Sequence, residues 1–180
     1  MQIELESMAI EMPPVAGHPN RERFRGVLTL VDIPSDRSPA GARGHRVVLT
    51  RAAAEAALPS LLGMGLDYSP TLDRHDTRRK VGMITGAEIV GKKLELSGHL
   101  FAKDFPEIVE AVRGSRTLGM SYEIADARVA DMRAKVWTLT QVTFTGAAIL
   151  RRDKAAYRET WIALHPSKPK PGLLGAPGLG

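Results

Sequence analysis

Between Lys93 and Phe101, Leu94, Leu96 and Leu100 interleave with Lys93, Glu95, Ser97 and His99. Side chains on a strand point to alternate faces, so this period of two predicts a β-strand with one apolar face and one wet face, the latter carrying His99. Val81 to Val90 is a second strand-like run, and Gly91-Lys92 between the two predicts a hairpin. Leu118 to Ala127 and Lys135 to Ile149 supply two more runs around a polar stretch near Asp131, while Phe24 to Ile33 and Arg46 to Leu49 lie nearer the start. Pro34 to Gly44 reads as a surface loop.

Helical spacing occurs twice. Thr50 precedes an alanine-rich segment from Arg51 in which Ala54, Leu58, Leu61 and Leu62 share a face, with Pro59 placed to break or restart it. Asp104 precedes Phe105, Ile108, Val109 and Val112, with Glu107 positioned to complete a capping box and Gly114 as the stop. Six or more strands, mostly neighbours in sequence, with few helices, imply a mainly β fold: a sheet that closes on itself or packs as a sandwich. The architecture expected is a closed antiparallel β-barrel flanked by helices. It spans residues 24–164, after an N-terminal strand and arm over 1–23 and before a flexible tail over 165–180, where prolines and glycines leave no periodic apolar face.

Composition narrows the function classes. At 180 residues and 43% hydrophobic content the chain supports one domain with a real core. It contains no cysteine, which removes disulfides, thiolate metal sites and cysteine nucleophiles together. Acidic residues in Met1 to Ser7 and the lack of a long apolar run suggest a soluble, intracellular protein with no membrane association. The net charge of +5 comes from scattered groups, among them Arg21, Arg23 and Arg25, then Arg74, Arg78, Arg79 and Lys80, then Arg151, Arg152 and Lys154. With 5% aromatic residues, this charge reads as solvated surface, and nucleic acid is not an expected partner.

Two segments carry candidate chemistry: His75 within Leu72-Asp73-Arg74-His75-Asp76, and Ser121 within Leu118-Gly119-Met120-Ser121-Tyr122-Glu123. On an extended run Gly119, Ser121 and Glu123 share the face opposite Leu118, Met120, Tyr122 and Ile124, which keeps Ser121 off the apolar stripe. A serine needs a base within hydrogen-bond reach to become a nucleophile, and His75 is the candidate base. Taken alone, a strand serine is more often a surface residue. His18, His45, His99 and His165 read as solvated. No phosphate loop, dinucleotide fingerprint, Gly-x-Ser-x-Gly elbow or His-Glu-x-x-His occurs, Asp73 to Asp76 is at most a weak metal cluster, and no cofactor is implied.

The order of motifs goes further than any one of them. Asp-Arg-His-Asp, Val81-Gly82, Ser-Gly-His-Leu-Phe, Ile108 to Gly114, Gly119-Met120-Ser121-Tyr122 and Leu139-Thr140-Gln141-Val142-Thr143-Phe144 follow one another in a sequence that resembles the tailed-phage prohead proteases of the HK97 type. The resemblance covers roughly Phe24 to Tyr157. It implies a β-barrel related to the herpesvirus assemblins and a serine endopeptidase that cuts scaffold or capsid-protein propeptides during head maturation. Its expected partners are the major capsid protein and scaffold, with self-cleavage and a homo-oligomer, inside the assembling prohead in the host cytoplasm. Carried over by position, the family's histidine falls on His75 and its nucleophile on Ser121. Gln141 stands where the family shows an acid, and Asp76 ranks below it because adjacent residues on an extended run point apart. A glutamine can orient an imidazole but brings no charge to stabilise the imidazolium, which implies slower catalysis. Arg151 and Arg152 fall broadly where the assemblins carry an arginine that supports the oxyanion. Two rival readings are a catalytically silent assembly or scaffold protein of the same fold, favoured by Gln141, and a basic nucleic-acid-binding barrel, favoured only by charge.

Overall fold

The computed structural model describes residues 17–165. Its strands are β1 (Glu22–Leu30), β2 (Arg46–Leu49), β3 (Gly65–Asp67), β4 (Lys80–Val90), β5 (Lys93–Leu100), β6 (Leu118–Val129), β7 (Val136–Arg151) and β8 (Trp161–Leu164). Helix α1 (Arg51–Ala57) runs into a 3-10 turn at Leu58–Leu61, and α2 (Pro106–Gly114) joins β5 to β6. The expected leading strand and most of the expected tail lie outside the described residues.

Local chemistry explains most of these boundaries. Thr50 caps α1 by accepting a hydrogen bond from the Ala53 amide, and Pro59, which cannot donate to a helix interior, begins the tighter turn that follows. At α2 the expected capping box does not form. Pro106 occupies the first turn and needs no amide partner, Phe105 takes the cap position, and Asp104 instead accepts from Asn20 Nδ2 at 2.9 Å. Glu107 accepts the Tyr68 hydroxyl at 2.9 Å.

One sheet contains all eight strands, in the path β2-β7-β3-β4-β5-β1-β8. Ala147 of β7 pairs with both Leu66 of β3 and Tyr122 of β6, so β6 runs along the opposite edge of β7 from β2 and β3. Leu66, Val81, Ile84, Leu94, Leu100, Met120, Phe144 and Ile149 fill the concave side with the apolar faces of α1 and α2.

Three expectations change. The sheet is a curled half-barrel, open where a closed barrel was expected. Its outer strands β6 and β8 share no ladder, and the gap is spanned by the Met120 amide donating to Thr160 Oγ1 at 3.1 Å, one residue before β8 begins. β8 is only four residues long and pairs with β1 alone, so closure has no second ladder to draw on. The sheet is also mixed, because β2 and β3 both run parallel to β7, on either side of a crossover through α1. His99 is buried, at 8% exposure, since the curl folds the nominally polar face of β5 against Phe101. Burial, helped by nearby Arg21 and His18, holds its imidazole below the ordinary histidine range.

Candidate active site

Register along β7 brings the chemical groups together. Ala148 pairs with Asp67 of β3 on one side and Ser121 of β6 on the other, so the three lie in one row across the sheet with side chains on one face. Glu123 is the next residue of β6 on that face. The other face, through Leu66, Ala147 and Tyr122, belongs to the core. Burial of the Tyr122 hydroxyl keeps that phenol un-ionised well above its usual range.

The segment between β3 and β4 carries His75 over this row. It is tethered at two points: the Leu72 carbonyl accepts from the Arg151 amide at 2.7 Å, and the Asp76 amide donates to Asp67 Oδ1 at 2.9 Å. Leu72 takes a left-handed backbone, φ 54°, at the turn that sends the segment back across the sheet. His75 Nδ1 consequently sits 3.6 Å from Asp67 Oδ2 and 4.0 Å from Glu123 Oε2.

Each carboxylate is held by one oxygen and free at the other. Asp67, with no exposed surface, uses Oδ1 for the Asp76 amide, and Glu123 uses Oε1 for the Thr145 hydroxyl at 3.1 Å. Asp67 Oδ2, Glu123 Oε2 and His75 Nδ1 are buried without a hydrogen-bond partner, all three turned toward one another. Lys80 Nζ, 4.0 Å from Asp67 Oδ2, adds partial compensation for the buried charge. The separations exceed hydrogen-bond length, as is common in active sites before substrate is seated. The same three atoms lie within 4.8 Å of one another, a spacing that would also admit a cation.

Ser121 stands between two features. On one side is Glu123 with His75 above it; on the other is Gly119, where a side chain would meet Thr160 Oγ1 at 2.6 Å and Arg152 Cα at 3.2 Å. The 152–160 segment therefore crosses the sheet beside Ser121, and glycine is required for its close approach. Arg152 prolongs the ladder, its amide donating to the Thr117 carbonyl at 2.7 Å, which puts it on the same face as Ser121.

Of the sequence candidates, His75 and Ser121 thus border one carboxylate, Glu123. Gln141 stands apart: it is exposed and pairs across to Arg128, seven residues from Ala148 along β7, which is about 23 Å at strand rise. Its loose motif lies in the right strand at the wrong end. Asp76 turns to Arg79 at 3.3 Å and contributes its amide to the row rather than its carboxylate. Sequence reading missed Asp67 because β3 is three residues long and shows no alternation; Glu123 was legible only as a residue sharing the Ser121 face.

No family model matches the chain, and no curated protein matches its sequence. Solved structures do resemble it. The protease of the herpesvirus KSHV, crystallised with a hexapeptide phosphonate inhibitor, superposes with a TM-score of 0.50 at 12% identity, covering 81% of this chain. The chain spans 66% of that protease's length. The capsid assembly protease gp21 of bacteriophage T4 aligns at a TM-score of 0.44 and 9% identity over 71% of this chain and 97% of its own. The KSHV likeness identifies the fold as that of the herpesvirus proteases.

Proposed function

We propose that this chain is a serine endopeptidase of viral capsid maturation, of the prohead type, with Ser121 as nucleophile, His75 as general base and Asp67 as the acid that orients it. The observation that carries the reading is the row Asp67, Ala148, Ser121 beneath His75, whose Nδ1 faces both carboxylates. With Nδ1 turned to the acids, Nε2 is the nitrogen left to serve the serine hydroxyl.

The steps follow from these roles. His75 Nε2 takes the Ser121 proton as Oγ bonds to the scissile carbonyl carbon, and the negative charge moves to the carbonyl oxygen. The tetrahedral adduct collapses as the amide nitrogen leaves with the proton from His75. Water then attacks the acyl-enzyme, giving its proton to His75, and as the second adduct collapses the bond to Oγ breaks, His75 returns that proton to Ser121 Oγ, and the acid leaves. Buried Asp67 stabilises the imidazolium in both halves, the service that Gln141 lacked the charge to give.

A silent scaffold rested on the missing acid at position 141, and Asp67 and Glu123 remove that ground. The major capsid protein and scaffold are the proposed substrates, self-cleavage and a homo-oligomer the proposed behaviour, and the prohead interior the proposed site of action. A fluorophosphonate tests the chemistry without knowledge of the substrate. Mass spectrometry should find the adduct on Ser121, absent in Ser121→Ala and strongly reduced in His75→Ala. Absence of labelling in a folded protein mixed with capsid subunits and scaffold, together with no cleavage of either, would overturn the assignment.

A further inference from the structure

A cavity of about 540 Å³ opens beside the site, lined by Arg37, Thr117, Arg151, Arg152, Asp153 and Arg158. Four of the six lining residues are arginines and one is an aspartate, so the cavity's surroundings are strongly basic. Like charges gathered at this density repel, so an anion that completes the site gains from every one of them. Arg151 is paired with Asp153 at 3.6 Å, whereas Arg37 and Arg158 have no ion pair among the described residues. Arg152 has a buried Nε without a hydrogen-bond partner, while its Nη2 reaches the Leu118 carbonyl only at 3.5 Å. An unsatisfied buried guanidinium nitrogen is costly and marks where an acceptor belongs.

The wall is built rather than incidental. Asp36 accepts the Arg158 amide through Oδ2 at 2.8 Å, and the Arg37 amide donates to the Ala156 carbonyl at 3.2 Å, which clamps the two loops that bear these arginines together. Thr117 lies four residues before Ser121 on the same strand face, about 13 Å away at strand rise. An extended peptide advances at nearly the same rise per residue, so one bound along β6 brings a side chain into the cavity within about four residues of the scissile bond.

We propose that this cavity is an acidic-residue subsite: it takes the carboxylate of a substrate Glu or Asp within about four residues of the bond cut at Ser121. Arg37, Arg152 and Arg158 recognise it, with the planar guanidinium matched to two carboxylate oxygens. The proposal rests on the protease reading for its orientation to the scissile bond. A bounded site with no aromatic residue in its lining favours a peptide side chain over nucleic acid, which is tracked by extended basic grooves with stacking aromatics.

Binding can be read apart from catalysis. Two short fluorescein-labelled extended peptides, alternating Ala with Glu in one and Ala with Gln in the other, are titrated by anisotropy against the non-cleaving Ser121→Ala protein at low salt. The Glu peptide should bind at least about tenfold tighter, lose that advantage in an added Arg37→Ala/Arg158→Ala pair, and weaken as salt rises. The melting temperature of the pair should match that of the parent. Single-site Arg37→Gln and Arg158→Gln proteins, each with half the loss, serve if the pair fails to fold. Equal binding of the two peptides, a Glu preference that survives loss of both arginines, or tighter binding of a short DNA strand through the same residues would overturn it. Fluorophosphonate labelling of Ser121 with no Glu preference removes the subsite and leaves the protease. A Glu preference with no labelling removes the protease and leaves an acidic-peptide site.

Discussion

At the residue scale, the proposed mechanism turns on which acid serves His75. Asp67 is fully buried and 3.6 Å from Nδ1, and Glu123 is partly exposed and 4.0 Å away, so Asp67 should dominate. Asp67→Asn keeps the Asp76 amide bond through its carbonyl oxygen but removes the charge, and kcat should fall on the order of 10³- to 10⁴-fold with little change in melting temperature. Glu123→Gln should cost about tenfold or less by the same kinetic measurement. The reverse order of effects would assign the orienting role to Glu123. His99 offers a second residue-scale prediction, in stability rather than rate. Its folded state resists protonation because of burial, while the unfolded chain takes up a proton near the ordinary histidine value of about 6.5. The unfolded state therefore binds more protons as pH falls through that value, and stability falls with it. Urea melts from pH 7.5 to 5 should show a shallower acid-side loss for His99→Gln than for the parent protein, whatever its stability at neutral pH.

At the element scale, the site depends on strands that approach closely. Gly26 in β1 lies where an added methyl would strike the Trp161 carbonyl oxygen of β8 and stand 2.9 Å from Met120 Sδ of β6. The nearer neighbour is a backbone oxygen, which no side-chain rotation can move aside. Gly26→Ala should destabilise the fold by about 1–3 kcal/mol, measured by chemical denaturation, as overpacking does elsewhere. A neutral result would mean that β8 moves freely from β1. Thr50→Ala removes the acceptor for the Ala53 amide at the start of α1 and should cost about 1 kcal/mol without altering Ser121 reactivity.

At the scale of the whole molecule, the curled sheet is left open beside the row of Asp67, Ala148 and Ser121. The gap between β6 and β8 is bridged where Thr160 Oγ1 accepts from Met120 and donates to the Tyr157 carbonyl at 2.9 Å. Met120 adjoins both Gly119 and Ser121, so this bridge holds β6 against the arginine-bearing segment. Thr160→Val keeps the shape but leaves the buried Met120 amide unpaired, which should cost about 1–3 kcal/mol and reduce the rate of Ser121 labelling. Loss of stability with an unchanged labelling rate would separate the seam from the site.

Period-two alternation in β5, the Gly91-Lys92 turn, the Thr50 cap and the Pro59 break were all written locally, because each depends on residues within one turn or one strand of each other. The sequence by itself therefore determined the mainly β character, most strand positions and the face on which Ser121 lies. Short elements were legible only in part: β2 showed as an apolar run, whereas β3 and β8, of three and four residues, did not stand out from their surroundings. Only the tertiary structure decided that the sheet stays open, that β2 and β3 run parallel to β7, and that His99 is covered. Register also decided which acid stands in the row of Ser121. Asp67 and Ser121 are 54 positions apart and share a row only because both pair with Ala148, whereas Gln141, far closer to Ala148 along the chain, is carried away by the rise of the strand they share.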